Sequence, residues 1–227
     1  MINQIESIIS KLAKARELDL KFQEFGAKEH KYFVNPRDSS SAILNFEKEH
    51  HVSLPDDYKL FLMKVGNGGK IYKNLEFPKN AAGPGYGIYP LGVGIDEICP
   101  KAAQSLSKKI FFDSEMSKNL WKSKALKSFD SHPVELRDKR YNEMYSGIMI
   151  IGHNGCSSYN GIILNGKDAG KVIYLSYENE IMPQLAKEAN FLDWYENWLD
   201  RVIENRLATA NTVYSSLWQK FKTKLSL

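Results

Sequence analysis

Ile2, Ile5, Ile9 and Leu12 recur at helical spacing, with Lys11, Lys14 and Arg16 off that line, so the chain opens with an amphipathic helix predicted to pack on the body. The polar break Asn35-Pro36-Arg37-Asp38-Ser39-Ser40-Ser41 ends that region. A second helix is predicted from Ala42 to about His50, with Ile43, Leu44 and Phe46 turned inward. A third follows: Ser53 is placed to N-cap it, Pro55 lies in its first turn, and Asp56 and Asp57 face its positive end. Tyr58, Phe61, Leu62 and Val65 supply its apolar stripe, and Gly66-Asn67-Gly68-Gly69 stops it.

From Ile71 to Tyr89 short apolar runs alternate with Pro and Gly, and Gly83-Pro84-Gly85-Tyr86-Gly87 reads as a shaped loop. Residues 95–145 are polar and interrupted by Pro100 and Pro133. Helical turns are expected there near Lys101–Leu106 and Met116–Leu126, and no strand. The β-rich runs 147–152, 161–165 and 171–175, separated by turn residues, predict an antiparallel meander at the centre of a sheet. Asn190 then caps a helix whose Phe191, Trp194, Tyr195, Trp198, Leu199 and Val202 share one face, and Val213, Leu217, Phe221 and Leu225 mark a terminal helix.

A composition of 43% apolar and 26% charged residues is ordinary for a folding chain and excludes disorder and fibrous repeats. The opening residues carry no basic-then-apolar leader pattern, and no apolar stretch is longer than Ile148–Ile151, which is too short for a bilayer, so a cytoplasmic protein is expected. Cys99 and Cys156 are too few for a disulfide framework and lack the spacing of a zinc site. Net charge is +4, and Lys101–Lys127 holds seven lysines against Asp113 and Glu115. That predicts a basic surface segment. Without a nucleic-acid motif it is read as a solvated face, and nucleic acid is not the expected partner.

The sequence meets no catalytic pattern. Glycines 83, 85 and 87 are followed by neither GxGxxG nor a Walker lysine, which argues against a phosphate loop. Cys156 beside His153 suggests an activated thiolate, but no third residue is identified to orient the histidine, and a buried turn cysteine is the preferred reading. His50 and His51 have only Glu47 and Glu49 nearby, so neither a metal nor a cofactor is expected. Trp194, Tyr195 and Trp198 could stack a sugar, but aromatic residues at helical spacing are read as core.

The run Phe46 through Tyr58, continuing through Phe61-Leu62 to Gly69, resembles the opening signature of the Smi/Knr family within the SUKH superfamily. Ala82 through Gly92 is similar to that family's Gly-Pro-x-Tyr-Gly loop, and Ile151 through Cys156 to its central Gly-Cys turn. Leu164-Asn165-Gly166, Gly170-Lys171-Val172 and Phe191 through Asp200 resemble its later strands and closing helix. Tyr174 stands where many relatives carry tryptophan. The resemblance covers roughly 42–202 and implies an α+β fold, a central mainly antiparallel sheet flanked by helices. The expected organisation is an N-terminal helical extension over 1–34, the Smi/Knr-like domain over 35–204, and a C-terminal helical tail over 205–227.

Many members of that family are implied to be immunity proteins for secreted bacterial toxins, and fungal relatives to be regulators of cell-wall synthesis. The leading expectation is therefore a non-catalytic protein-binding module that neutralises a toxin domain. A regulatory scaffold is the first alternative and a cysteine-dependent enzyme the second. Tight, specific binding favours a preformed concave surface with aromatic anchors. The loop at 83–87 and the turn from Gly152 to Gly161 offer Tyr86, Tyr89, His153, Asn154, Tyr159 and Asn160 as the partner-binding set. The competing reading is that these loops brace each other with their tyrosines buried.

Overall fold

The computed structural model describes residues 1–66, 80–98, 102–129, 133–176 and 181–225, with the helix path alone given over 210–225. Asn67-Gly68-Gly69, the 71–79 part of the expected loop, Cys99, Pro100 and Lys101 lie outside these residues.

Helix α1 (Ile2–Leu18) buries Ile5, Ile8, Leu12 and Ala15. The apolar line expected through Ile2 and Ile9 is corrected here, because Ile2 is 72% and Ile9 42% exposed. The true stripe is the seam against the last helix, α7 (Phe191–Leu225), and Ile2 and Ile9 fall at its margin. Polar bonds fasten the same seam. Lys11 Nζ meets Glu196 at 2.8 Å and Asp200 at 2.6 Å, and Ser7 Oγ donates to Glu196 at 2.6 Å. The N-terminal segment therefore shares one apolar core with the rest of the chain.

After a short helix α2 (Ala27–His30), α3 (Ser40–His50) is capped by Ser39, whose Oγ accepts the Ala42 N–H at 3.1 Å. Helix α4 (Asp56–Lys64) starts after Pro55 with no side-chain cap, so Ser53 does not hold the role expected of it. The preceding turn is fixed from α3, where Glu47 Oε1 accepts the Leu54 N–H at 2.7 Å. A 3-10 turn (Ala102–Ser105) and two further helices, α5 (Lys118–Phe129) and α6 (Val134–Met144), occupy the polar stretch.

The sheet is a meander in the order β1 (Ile148–Gly155), β2 (Ser158–Ile163), β3 (Val172–Ser176) and β4 (Gln184–Leu185), all antiparallel. Its two faces are both covered. Met149, Ile151, Ile162 and Val172 enter the larger core with α1, α4 and α7. Ile148, Ile150, Ile163, Ile173 and Leu175 enter a second core with Trp121 of α5, Phe112 and Tyr145. This α+β arrangement explains why the β runs are continuously apolar instead of alternating, since a sheet buried on both faces has no polar side to show.

Helix α7 begins at the expected cap, with Asn190 Oδ1 accepting the Asp193 N–H at 2.9 Å. Phe191, Trp194, Tyr195, Trp198, Leu199 and Val202 are all buried, so this aromatic face is core. The helix runs unbroken to Leu225, where the sequence had suggested two helices.

Candidate partner-binding face

Residues 80–89 form a narrow loop closed by the reciprocal backbone pair Ala81 and Ile88, with both N–H···O distances 2.8 Å. It lies along the outer side of β1. Tyr89 N–H donates to the Ile151 carbonyl at 2.9 Å and Tyr86 N–H to the His153 carbonyl at 2.7 Å. From behind, Tyr195 of α7 donates its hydroxyl to the Ala82 carbonyl at 2.8 Å. Backbone held from three sides is rigid backbone, which is what a preorganised surface requires.

The segment between Gly152 and Gly161, expected to be a turn, is instead the paired end of a hairpin, with only Cys156 and Ser157 at its tip. The ladder slips between Ile150 and Gly152 and again between His153 and Gly155, leaving Ile151 and Asn154 as extra residues. Such bulges re-aim side chains near a strand end. Asn154 is the clearest case. Its amide bonds reciprocally with that of Asn160 on β2, at 2.6 and 2.9 Å, so the polar residues that suggested a turn satisfy each other inside the sheet. Cys156 is exposed, with φ of 44°, which corrects the buried cysteine expected from the sequence. Among the described residues no hydrogen bond joins it to His153, whose Nδ1 accepts the Gly155 N–H at 3.3 Å.

The six residues singled out by the sequence come together, in two layers. Tyr86, His153 and Asn154 are half-buried at the surface, whereas Tyr89, Tyr159 and Asn160 are buried behind them. The Tyr86 and His153 rings stack at 5.6 Å and 21°, and the Tyr159 ring meets His153 edge-on at 5.1 Å. Burial, with the charges of Glu97 and Tyr159 added, pushes the Tyr89 phenol well above its ordinary range. Tyr89 is thus a neutral packing residue, and the half-buried side chains at the surface are Tyr86, His153 and Asn154, the last with its amide turned to Asn160.

One further ring was missed by sequence reasoning. Phe25, between α1 and α2, lies 5.1 Å from Tyr86 and is 58% exposed. What brings it there is glycine. Gly26 (φ 77°) sits so close to Gly85 (φ 65°) that a Cβ on Gly26 would fall 1.8 Å from the Gly85 carbonyl oxygen. A side chain on Gly155 would likewise strike the Tyr86 ring at 2.7 Å. The only sequence signal was an aromatic residue next to an isolated glycine. A cleft of about 640 Å³ opens between residues 21–29 and Tyr86.

Among the described residues no group of three or more His, Cys, Asp and Glu side chains could hold a metal ion, and no helix is long and apolar enough to cross a membrane. The face is therefore a surface of rings, amides and glycine-shaped backbone. In comparisons with known proteins, the model of the SMI1 / KNR4 family (SUKH-1) matches residues 39–197, most of the chain. No curated protein and no solved structure is significantly similar to it.

Proposed function

The chain belongs to the SMI1 / KNR4 family (SUKH-1), and from that premise we propose that it is an immunity protein that binds and neutralises a bacterial toxin domain in the cytoplasm through Tyr86, His153 and Asn154. Membership supports a toxin-immunity or Smi1-type role in general. The observation that favours a tight binder is the half-buried, stacked pair of Tyr86, on a loop hydrogen-bonded to β1 and to α7, and His153, on β1 itself. Aromatic anchors fixed before contact lose little side-chain freedom on binding, so more of the contact energy remains as affinity. Tyr89, Tyr159 and Asn160 act as the backing that holds them.

The test is co-expression with any toxic C-terminal domain found encoded beside this chain, scoring survival and co-purification. Rescue with a stable complex is expected, with Tyr86→Ala weakening binding by roughly tenfold or more, as truncating an anchor does. A complex without rescue would favour the regulatory role instead, and no complex with any neighbouring product would sink the reading. Cys156→Ala is expected to leave rescue intact; its loss with normal folding and binding would point to thiol catalysis.

A further inference from the structure

Asp19 is a carboxylate 2% exposed, and its bonds serve one short segment. Its oxygens accept the N–H groups of Gln23 at 2.7 Å and Glu24 at 3.0 Å and the hydroxyl of Tyr32 at 2.8 Å. Arg206 of α7 closes over the same turn, 3.6 Å from Glu24 and donating to Gln23 at 3.2 Å. A buried carboxylate is costly unless its lone pairs are satisfied, so this hub specifies the shape of residues 19–26. Asp19 and Arg206 both lie outside the 39–197 span shared with the family.

The turn so fixed carries apolar side chains outward: Leu20 is 77% and Phe25 58% exposed. Single exposed apolar residues are common, but Phe25 stands on a turn fixed by buried polar bonds and against the Tyr86 ring, where a preformed ring can act as an anchor. Phe25 continues the ring row of Tyr86 and His153 and forms one wall of the 640 Å³ cleft. Lys21 and Lys28 on the rim are exposed and make no ion pair among the described residues, while the rim's Glu24 is turned to Arg206, leaving Glu29 as its exposed carboxylate.

We propose that the turn 19–26 is the second half of the binding face, taking an apolar side chain of the toxin domain against Phe25 with an acidic residue beside it for Lys21 and Lys28. The proposal rests on the immunity reading and names the chemistry of the partner surface. It makes the segment outside the family span the part that distinguishes one toxin from another. Rim charges select partners by complementary sign more than they add affinity, and the excess of lysine selects an acidic surface.

Titration calorimetry of the full chain against the neighbouring toxic domain decides it. Phe25→Ala is expected to weaken binding about tenfold with unchanged melting temperature, because the side chain is exposed in the free protein. Replacing Lys21 and Lys28 with glutamine together is expected to weaken binding and to flatten its dependence on salt. If both variants bind within about twofold of the parent while Tyr86→Ala is impaired, the turn is not part of the face and the immunity reading survives alone. Failure of the parent chain to bind overturns both. Self-association that is lost in Phe25→Ala, with toxin affinity unchanged, would assign the cleft to a second copy of this chain and overturn the proposal.

Discussion

The carboxylate of Asp57 accepts the backbone N–H of Leu192 at 3.2 Å, so one side chain joins the first turn of α4 to the start of α7. Burial raises its pKa, against the opposing pull of N–H groups from Leu192, Tyr58 and Phe191. The ionised form thus satisfies otherwise orphaned helix-terminal donors while carrying a desolvation cost.

Asp57→Ala is therefore expected to lower unfolding stability by about 1–2 kcal/mol, as loss of a capping side chain does. Asp57→Asn is expected to cost less, because the amide oxygen still accepts and no charge is buried. Denaturant titration of the two variants checks the order.

Acid should weaken the fold through His30. Its ring is 0% exposed, packed edge-on to Tyr32 at 5.3 Å and Trp198 at 5.8 Å, and its Nδ1 accepts the Tyr32 N–H at 3.1 Å. Burial pushes its pKa down to about 4, against the smaller upward pull of Asp19. A histidine so depressed takes up its proton more readily in the unfolded chain, so stability is full above the ordinary value near 6.5 and is lost as pH falls from there toward 4. The loss attributable to this group approaches ~3 kcal/mol at the bottom of that window. His30→Asn is expected to flatten the slope of unfolding free energy against pH between 4 and 6.5. An unchanged slope would assign the acid sensitivity elsewhere.

Removing residues 205–227 is expected to leave a folded, cooperatively melting core, because among the described residues the last apolar side chains of α7 in the core are Val202, buried, and Ile203, partly buried against it. The truncation also removes Arg206, whose guanidinium spans Asp19 and Glu24. A drop of about 1 kcal/mol is expected from losing its hydrogen bond to Gln23 and the ion pairs with these two carboxylates. Both the truncation and Arg206→Ala in the full chain are expected to speed amide exchange at Gln23 and Glu24; unchanged exchange would show that Asp19 alone shapes the turn.

The elements most legible in the sequence were those with one dominant period. Phe191 through Val202 at helical spacing, the Asn190 cap and the three apolar β runs each had a single physical solution. Helix α6 was missed because Val134 and Leu136 are exposed, so no apolar stripe marks it. The strand end at His153-Asn154 looked like a turn because its polarity is resolved only by Asn160 across the sheet, a partner that local pattern cannot reveal. The six candidate residues do converge, but which of them face outward depended on bulges and glycine contacts with no local signature. Phe25 was illegible for the same reason, since its place beside Tyr86 comes from the meeting of two distant glycines.

The loop over 80–89 also decides how this protein can assemble. By taking the Tyr89–Ile151 and Tyr86–His153 bonds it occupies main-chain groups that β1 would otherwise offer to a stranger's strand. An open strand edge is a template for β-augmentation and for fibril growth. With the middle of that edge already satisfied, recognition there has to be written in side chains, where each residue can be altered separately. A contact written in side chains can be made specific, whereas a backbone contact is one that any extended chain could copy.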